Sequence, residues 1–139
     1  MTKKKVIFLC TGNTARSQMA EAFLRKYAND KFEVYSAGLE PSQINPLTKN
    51  VMEEIGLDLK GQESKGLEQF LGKNDFSYVI TVCGHADEKC PMFPGNSVRI
   101  HWPFDDPACV QGSVEEKLAE FRKTRDQIEH QIKSWLKEA

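Results

Sequence analysis

The sequence lacks the features that would place it in several large functional classes. It has no C-x2-C pair: Cys10, Cys83, Cys90 and Cys109 are spread along the chain, and His85, His101 and His130 complete no zinc-finger spacing. No metal site is expected. A basic excess is also missing, with 19 Lys and Arg against 20 Asp and Glu and a net charge of -1. General electrostatics therefore give no reason to expect nucleic acid or an anionic membrane as partner. Long hydrophobic runs are absent as well. "MTKKKVIFLC" goes from charge into an apolar run too short for a signal-peptide core or a membrane span, so a cytoplasmic protein is expected. There is no internal repeat, low-complexity segment or linker. In a reducing compartment the four cysteines read as free or catalytic thiols rather than structural disulfides. With 139 residues, 40% of them hydrophobic, the chain has enough material for one domain over 1–139 and closes its core as a monomer.

What is present is an alternation of strand and helix signals. "KKVIFLC" and "FSYVITVC" are apolar, β-branched or aromatic runs that each end at a cysteine, as buried strands of a parallel sheet do. "FEVYSAG" and "SVRIHW" are weaker strand signals. Ala20, Phe23, Leu24 and Tyr27 recur on one helical face and predict a helix over 15–29. "NPLTKNVMEEIG" has Asn45 as cap, Pro46 at the first helical position and Gly56 beyond the end. Ser113 and Glu116 have capping-box spacing ahead of Leu118, Phe121, Ile128, Ile132 and Trp135, which predicts a long final helix. The expected fold is α/β: a small four-stranded parallel sheet, doubly wound, with helices on both faces. Such sheets bind ligands at the carboxyl ends of their strands, where Cys10 and Cys83 fall.

The stretch after the first strand, "CTGNTARS", carries the strongest chemical signal. Thr11, Gly12, Asn13, Thr14 and Ala15 are small, so their backbone N–H groups can wrap an anion, and a helix starting near Ala15 aims its N-terminal dipole at the same point. Arg16 adds a bidentate fork for oxyanion oxygens. These groups favour the thiolate of Cys10, and Ser17 is placed to donate a hydrogen bond to its sulfur. Cys10 on its own also suits a buried strand-end thiol. The surrounding residues favour a nucleophile facing a bound oxyanion.

This C-x5-R-S loop at the amino end of an α/β chain resembles that of the low-molecular-weight protein tyrosine phosphatases. The resemblance implies Cys10 as nucleophile, Arg16 as oxyanion binder and an aspartate before proline as general acid. "FDDPA" supplies Asp105 and Asp106, with Asp106 next to Pro107, although two aspartates before a proline also suit a plain turn. "TVCGHADEKCPMFP" adds Cys83 and Cys90. The order "CTGNxxRSQMAE", "YSAG", "NP", "TVCGHAxxxCP" and "HWxFDDPA" covers nearly the whole chain and resembles the thioredoxin-coupled arsenate reductases built on the same phosphatase fold.

That resemblance implies arsenate as substrate, arsenic detoxification and a three-cysteine relay. Cys10 attacks arsenic, a Cys10–Cys83 disulfide forms as arsenite leaves, and a Cys83–Cys90 disulfide follows. Thioredoxin then reduces this bond with electrons from NADPH through thioredoxin reductase. No cofactor is bound, and a weak phosphatase side activity is expected. A glutaredoxin as donor, a phosphatase needing only loop and aspartate, and a non-enzymatic redox or anion-binding module remain as alternatives. A helix over 84–90 would hold Cys83 and Cys90 about 10 Å apart along its axis. A disulfide tolerates about 4.4 to 6.8 Å between Cα atoms, so this segment is expected to unwind on oxidation.

Relatives in the family surround the loop with Asn13, Glu21 and Ser36, which in some members help hold potassium with an aspartate further on. Lys65 aligns with that aspartate, so its ammonium is expected near Glu21 and Asn13, with little dependence on potassium; a solvated surface lysine is the equal alternative. His85 and His101 are read as structural. Cys109 is read as a buried bystander.

Overall fold

Strand β1 (Lys4–Cys10) is the inner strand on which the fold is built. The structure is a computed structural model and describes residues 3–70, 75–84, 86 and 97–138. The other strands are β2 (Phe32–Gly38), β3 (Tyr78–Thr81) and β4 (Val98–His101), all parallel, in the order β2-β1-β3-β4. Val6, Ile7, Phe8 and Leu9 are at most 1% exposed, so both faces of β1 are covered. This explains why its sequence is a continuous apolar run rather than an alternation.

The chain leaves β1 for β2 on one side and returns across it to β3 and β4 on the other. Right-handed crossovers in opposite directions put the connections on opposite faces, which is the doubly wound α/β fold expected. Phe32 and Tyr35 are three residues apart in β2 and point to opposite faces. On one face Phe32, Tyr78 and Trp102 surround Trp135 at ring distances of 5.5, 5.1 and 5.8 Å. On the other, Tyr35 meets Phe70 and Phe76 edge-on at 5.5 and 5.6 Å. A fully buried side chain such as Phe8, Phe23 or Phe121 contributes roughly 1.5–3 kcal/mol.

Helix α1 (Arg16–Ala28) buries Ala20, Phe23 and Leu24 completely and packs on the final helix. Helix α2 (Pro46–Glu53) is capped by Asn45, whose Oδ1 accepts from Leu47 N at 2.9 Å. Gly56, at φ 79°, supplies the left-handed turn after it. Helix α3 (Val114–Glu138) opens on a capping box: Glu116 N donates to Ser113 Oγ at 3.2 Å and Ser113 N donates to Glu116 Oε1 at 3.3 Å. Among the described residues no helix is long and apolar enough to cross a membrane.

One boundary differs from the sequence reading. The run expected as strand up to Cys83 pairs only over Tyr78–Thr81. Val82 N still donates to Leu9 O at 2.9 Å, but Cys83 leaves the ladder, and its sulfur accepts from Ala86 N at 3.3 Å in the manner of a capping side chain. Cys83 thus stands in the turn beyond the strand. The carboxyl ends of all four strands share one edge, and the chemistry-bearing residues collect there.

Candidate active site

The loop from Cys10 to Ser17 is shaped by where its carbonyls go. Cys10 O accepts from Leu39 N (3.2 Å), Thr11 O from Glu40 N (2.8 Å) and Gly12 O from Ser42 N and Ser64 Oγ (3.3 and 2.9 Å). Asn13 O accepts from Gln18 Nε2 (3.0 Å), Thr14 O from Asn45 N and Thr48 Oγ1 (both 3.1 Å), and Ala15 O from Met19 N (2.9 Å). Every carbonyl from residue 10 to 15 is therefore drawn outward. Across a trans peptide the following N–H points the opposite way, so the N–H groups of residues 11 to 16 turn to the inner side of the loop. That is an anion nest at the start of α1. Asn13 takes the left-handed conformation this needs, at φ 54°.

Cys10 is 3% exposed, and its sulfur receives Asn13 N at 3.2 Å and lies 2.9 Å from Ser17 Oγ. Behind it lies a buried polar cluster. Asn13 Nδ2 donates to Ser17 Oγ (2.7 Å) and Ser36 Oγ (3.0 Å), and Ser36 donates in turn to Glu21. Glu21 also meets Arg25 at 2.8 Å and Lys65 Nζ at 3.7 Å. Asn13, Glu21, Ser36 and Lys65 thus form one group, with a correction to the expected arrangement. Asn13 Oδ1 is met by the backbone N of Lys65 at 2.8 Å, while the ammonium reaches Glu21 and Glu63 O.

Arg16, with its side chain 11% exposed, donates to Phe104 O at 3.1 Å and faces Asp106 Oδ2 at 3.5 Å. The loop after β4 is thereby tied to the anion loop. Asp106 also caps the short 3-10 turn Pro107–Cys109, its Oδ1 accepting from Ala108 N at 2.9 Å. The turn-forming and site-facing readings of Asp106 hold together. Asp105 is exposed. Cys109, expected to be buried, is exposed, because the capped turn directs it outward, and its thiol donates to Asp106 Oδ2 at 3.6 Å.

Cys83 is 4% exposed, and its sulfur lies 3.4 Å from Thr11 Oγ1. Leu9 pairs with Thr81, so β1 and β3 end side by side, with neighbouring strands about 4.8 Å apart. Thr11, next to Cys10 in the chain, therefore bridges toward the second thiol. Cys90 and His85 lie outside the described residues. His101 Nδ1 lies 2.8 Å from Thr81 Oγ1 at the end of β4. Among the described residues no group of three His, Cys, Asp or Glu side chains is placed to hold a metal ion.

Three residues that hold the loop have no role in the sequence reading. Gly38 pairs with Cys10, and a Cβ there would sit 2.7 Å from Thr11 O. Ser64 fixes Gly12 O. Gln18 is fully buried against Asn13 and is joined by Gln62. No local signal in the sequence marks Gln18, because its partners Glu63 and Gln62 come from far along the chain.

The arrangement can bind a tetrahedral oxyanion and present a sulfur to it, with a second buried thiol, Cys83, lying against Thr11 of the same loop. Residues 5–139 match the model of the low molecular weight phosphotyrosine protein phosphatase family. An arsenate reductase of Halalkalibacterium halodurans is 49% identical over 136 residues, 97% of this chain and 96% of that one. Among solved structures, an arsenate reductase in an oxidized state aligns with a TM-score of 0.80 and 34% identity over 94% of this chain and 95% of that one. One in a phosphate-binding state aligns at 0.77 and 32%, over 97% and 98%. A thioredoxin-dependent arsenate reductase of Corynebacterium glutamicum aligns at 0.63 and 29%, over 94% of this chain and 62% of that one. The chain belongs to the low molecular weight phosphotyrosine protein phosphatase family.

Proposed function

We propose that the protein is an arsenate reductase that turns over through a relay of three thiols and draws its electrons from thioredoxin. The observation that carries this reading is the second buried thiol: Cys83 is held at the mouth of the anion loop by Thr11, 3.4 Å away, where hydrolysis of a phosphate ester would need no second sulfur.

In the first step the N–H groups of residues 11 to 16 and the Arg16 guanidinium hold the arsenate oxygens, and the Cys10 thiolate attacks arsenic. A hydroxide leaves from arsenic, protonated to water by Asp106, with Asp105 beside it in the loop. The Cys83 thiolate then attacks the Cys10 sulfur. The pair of electrons in the sulfur–arsenic bond stays with arsenic, which departs as arsenite, and a Cys10–Cys83 disulfide remains. Two thiols have lost two electrons and arsenic has gained them. Cys90 next attacks the Cys83 sulfur, frees Cys10 and forms the Cys83–Cys90 disulfide. The dithiol of thioredoxin reduces that bond, with NADPH and thioredoxin reductase restoring thioredoxin. The unwinding expected of the 84–90 segment falls on residues of which only Gly84 and Ala86 are described.

The Lys65 ammonium stands beside Glu21 where a monovalent cation would stand, so turnover depends little on potassium. The reading is tested by mixing the full chain with arsenate, thioredoxin, thioredoxin reductase and NADPH. NADPH oxidation that requires arsenate supports it. Consumption without arsenate, or none with it, overturns it.

A further inference from the structure

We propose that Gln18 is a positioning residue that, steered by Gln62, sets the direction of a hydrogen-bond chain ending on the Cys10 sulfur. The proposal rests on Cys10 as the reactive thiol and on no particular substrate.

Gln18 is fully buried, and a buried amide is costly unless its polar atoms are bonded. Its Nε2 lies within bonding distance of three acceptors: Asn13 O (3.0 Å), Asn13 Oδ1 (2.9 Å) and Glu63 O (2.9 Å). Its Oε1 accepts from Gln62 Nε2 at 2.8 Å, and the same Nε2 reaches Gln18 O at 3.2 Å. Flipping the Gln18 amide would set its oxygen against three other oxygens and its nitrogen against the Gln62 donor. Its orientation is therefore fixed from both ends.

That orientation passes to Asn13. Two donors, Gln18 Nε2 and Lys65 N, converge on Asn13 Oδ1, so Asn13 must present Nδ2 to Ser17 and Ser36. Ser17 Oγ accepts from that amide and lies 2.9 Å from Cys10. A thiolate can only accept, so the Ser17 hydroxyl donates to it. The chain then runs in one direction, from Gln62 through Gln18, Asn13 and Ser17 to the sulfur, and each bond polarises the next. Gln18 also bonds Asn13 O and so helps hold the left-handed backbone of the loop.

The test is the pH profile of Cys10 alkylation by iodoacetamide, followed by peptide mass spectrometry on the reduced full chain. Loss of a donor chain to a charged sulfur predicts that Gln18→Met moves the profile to higher pH and slows alkylation at neutral pH about tenfold. Gln62→Met, at a half-buried position, moves it in the same direction by less and carries the test if Gln18→Met does not fold. In a Ser17→Ala background, Gln18→Met adds no further movement. Wild-type profiles in the Gln18 and Gln62 variants, with a lowered Tm alone, would make the residues merely structural and overturn the proposal. An equal shift with and without Ser17 would overturn the stated route. Because the assay contains no arsenate or thioredoxin, a chain that fails to reduce arsenate yet shows these shifts would refute the proposed function and leave this inference standing.

Discussion

Adding one methyl group at Gly38 tests whether the anion loop is held from behind by backbone contact. A Cβ at this position would lie 2.7 Å from Thr11 O, 2.9 Å from Asn13 N and 2.9 Å from Gly12 C, whereas ordinary contact begins at 3.4 Å. All three are main-chain atoms, so no side chain can rotate away. Gly38 is itself pinned by Cys10 across the β1–β2 ladder and by its N–H to Lys65 O at 2.8 Å. The loop must therefore retreat by about 0.7 Å, and overpacking of this kind costs about 1–3 kcal/mol. For a chain of this size that lowers Tm by roughly 3–12 °C. A displacement approaching 1 Å at reacting groups costs up to about 100-fold, so kcat/KM in the NADPH-coupled arsenate assay is expected to fall about 10- to 100-fold in Gly38→Ala. Gly66→Ala is the control: it lies across the same bridge, but its Cβ would meet only Pro41, at 3.5 and 3.9 Å. A Gly38→Ala protein with wild-type Tm and kcat/KM would refute the argument that this close approach shapes the loop.

On the proposed roles, Cys83→Ser should abolish arsenate turnover and leave hydrolysis of an arylphosphate intact, because hydrolysis would call on Cys10, Arg16 and Asp106 and on no second thiol; parallel loss of both activities would count against separate roles. Lys65→Asp should make turnover respond to potassium over sodium at equal ionic strength, while the wild type responds little, and a large response in the wild type would contradict the cation-like place of the ammonium beside Glu21. At the contact of α2 with α3, hydrogen bonds from Arg122 hold the Glu54 carboxyl below its ordinary value, with Arg125 assisting and desolvation opposing. A depressed folded value gives stability that is present above the unfolded value of 4.5 and is lost as pH falls through the folded one. Thermal melts should therefore show Glu54→Gln less stable than wild type at pH 7, with the gap closing under acid; a gap independent of pH would sink the assignment.

The parts of this structure that were legible in the sequence are those with local causes. β1 could be read because burial on both faces demands an unbroken apolar run, and α2 and α3 could be read because Asn45, Ser113 and Glu116 satisfy helix ends within a few residues. The loop could be read because small residues, a strand before it and a helix after it are all contiguous. What was not legible depends on distant partners. Gly38 looks like any strand-end glycine until Thr11, Gly12 and Asn13 arrive behind it. Gln18 looks like a surface helix residue, since nothing local says that Asn13, Glu63 and Gln62 enclose it. The resemblance sets Lys65 near Glu21 and Asn13 but does not divide its contacts between a backbone N–H on Asn13 and an ammonium on Glu21. Cys83 read as a strand end because its neighbours are β-formers, yet its sulfur bonds Ala86 N and so belongs to the following turn.

The oxyanion loop alone does not decide the chemistry. A nest of N–H groups with one guanidinium responds to charge and tetrahedral shape, which phosphate and arsenate share. The difference lies in what the central atom can accept: arsenic takes two electrons from thiols, and phosphorus does not. Reduction then requires a second sulfur able to attack the first while it carries the substrate. In the proposed relay that sulfur is Cys83: β1 and β3 end side by side, and Cys83 turns off the sheet with its sulfur 3.4 Å from Thr11 Oγ1. A Cys83 kept in the ladder would have its side chain set normal to the sheet by the pleat, and not by the turn that brings its sulfur to Thr11. On the proposed function, selection between hydrolysis and reduction is set by the turn after β3 more than by the anion loop.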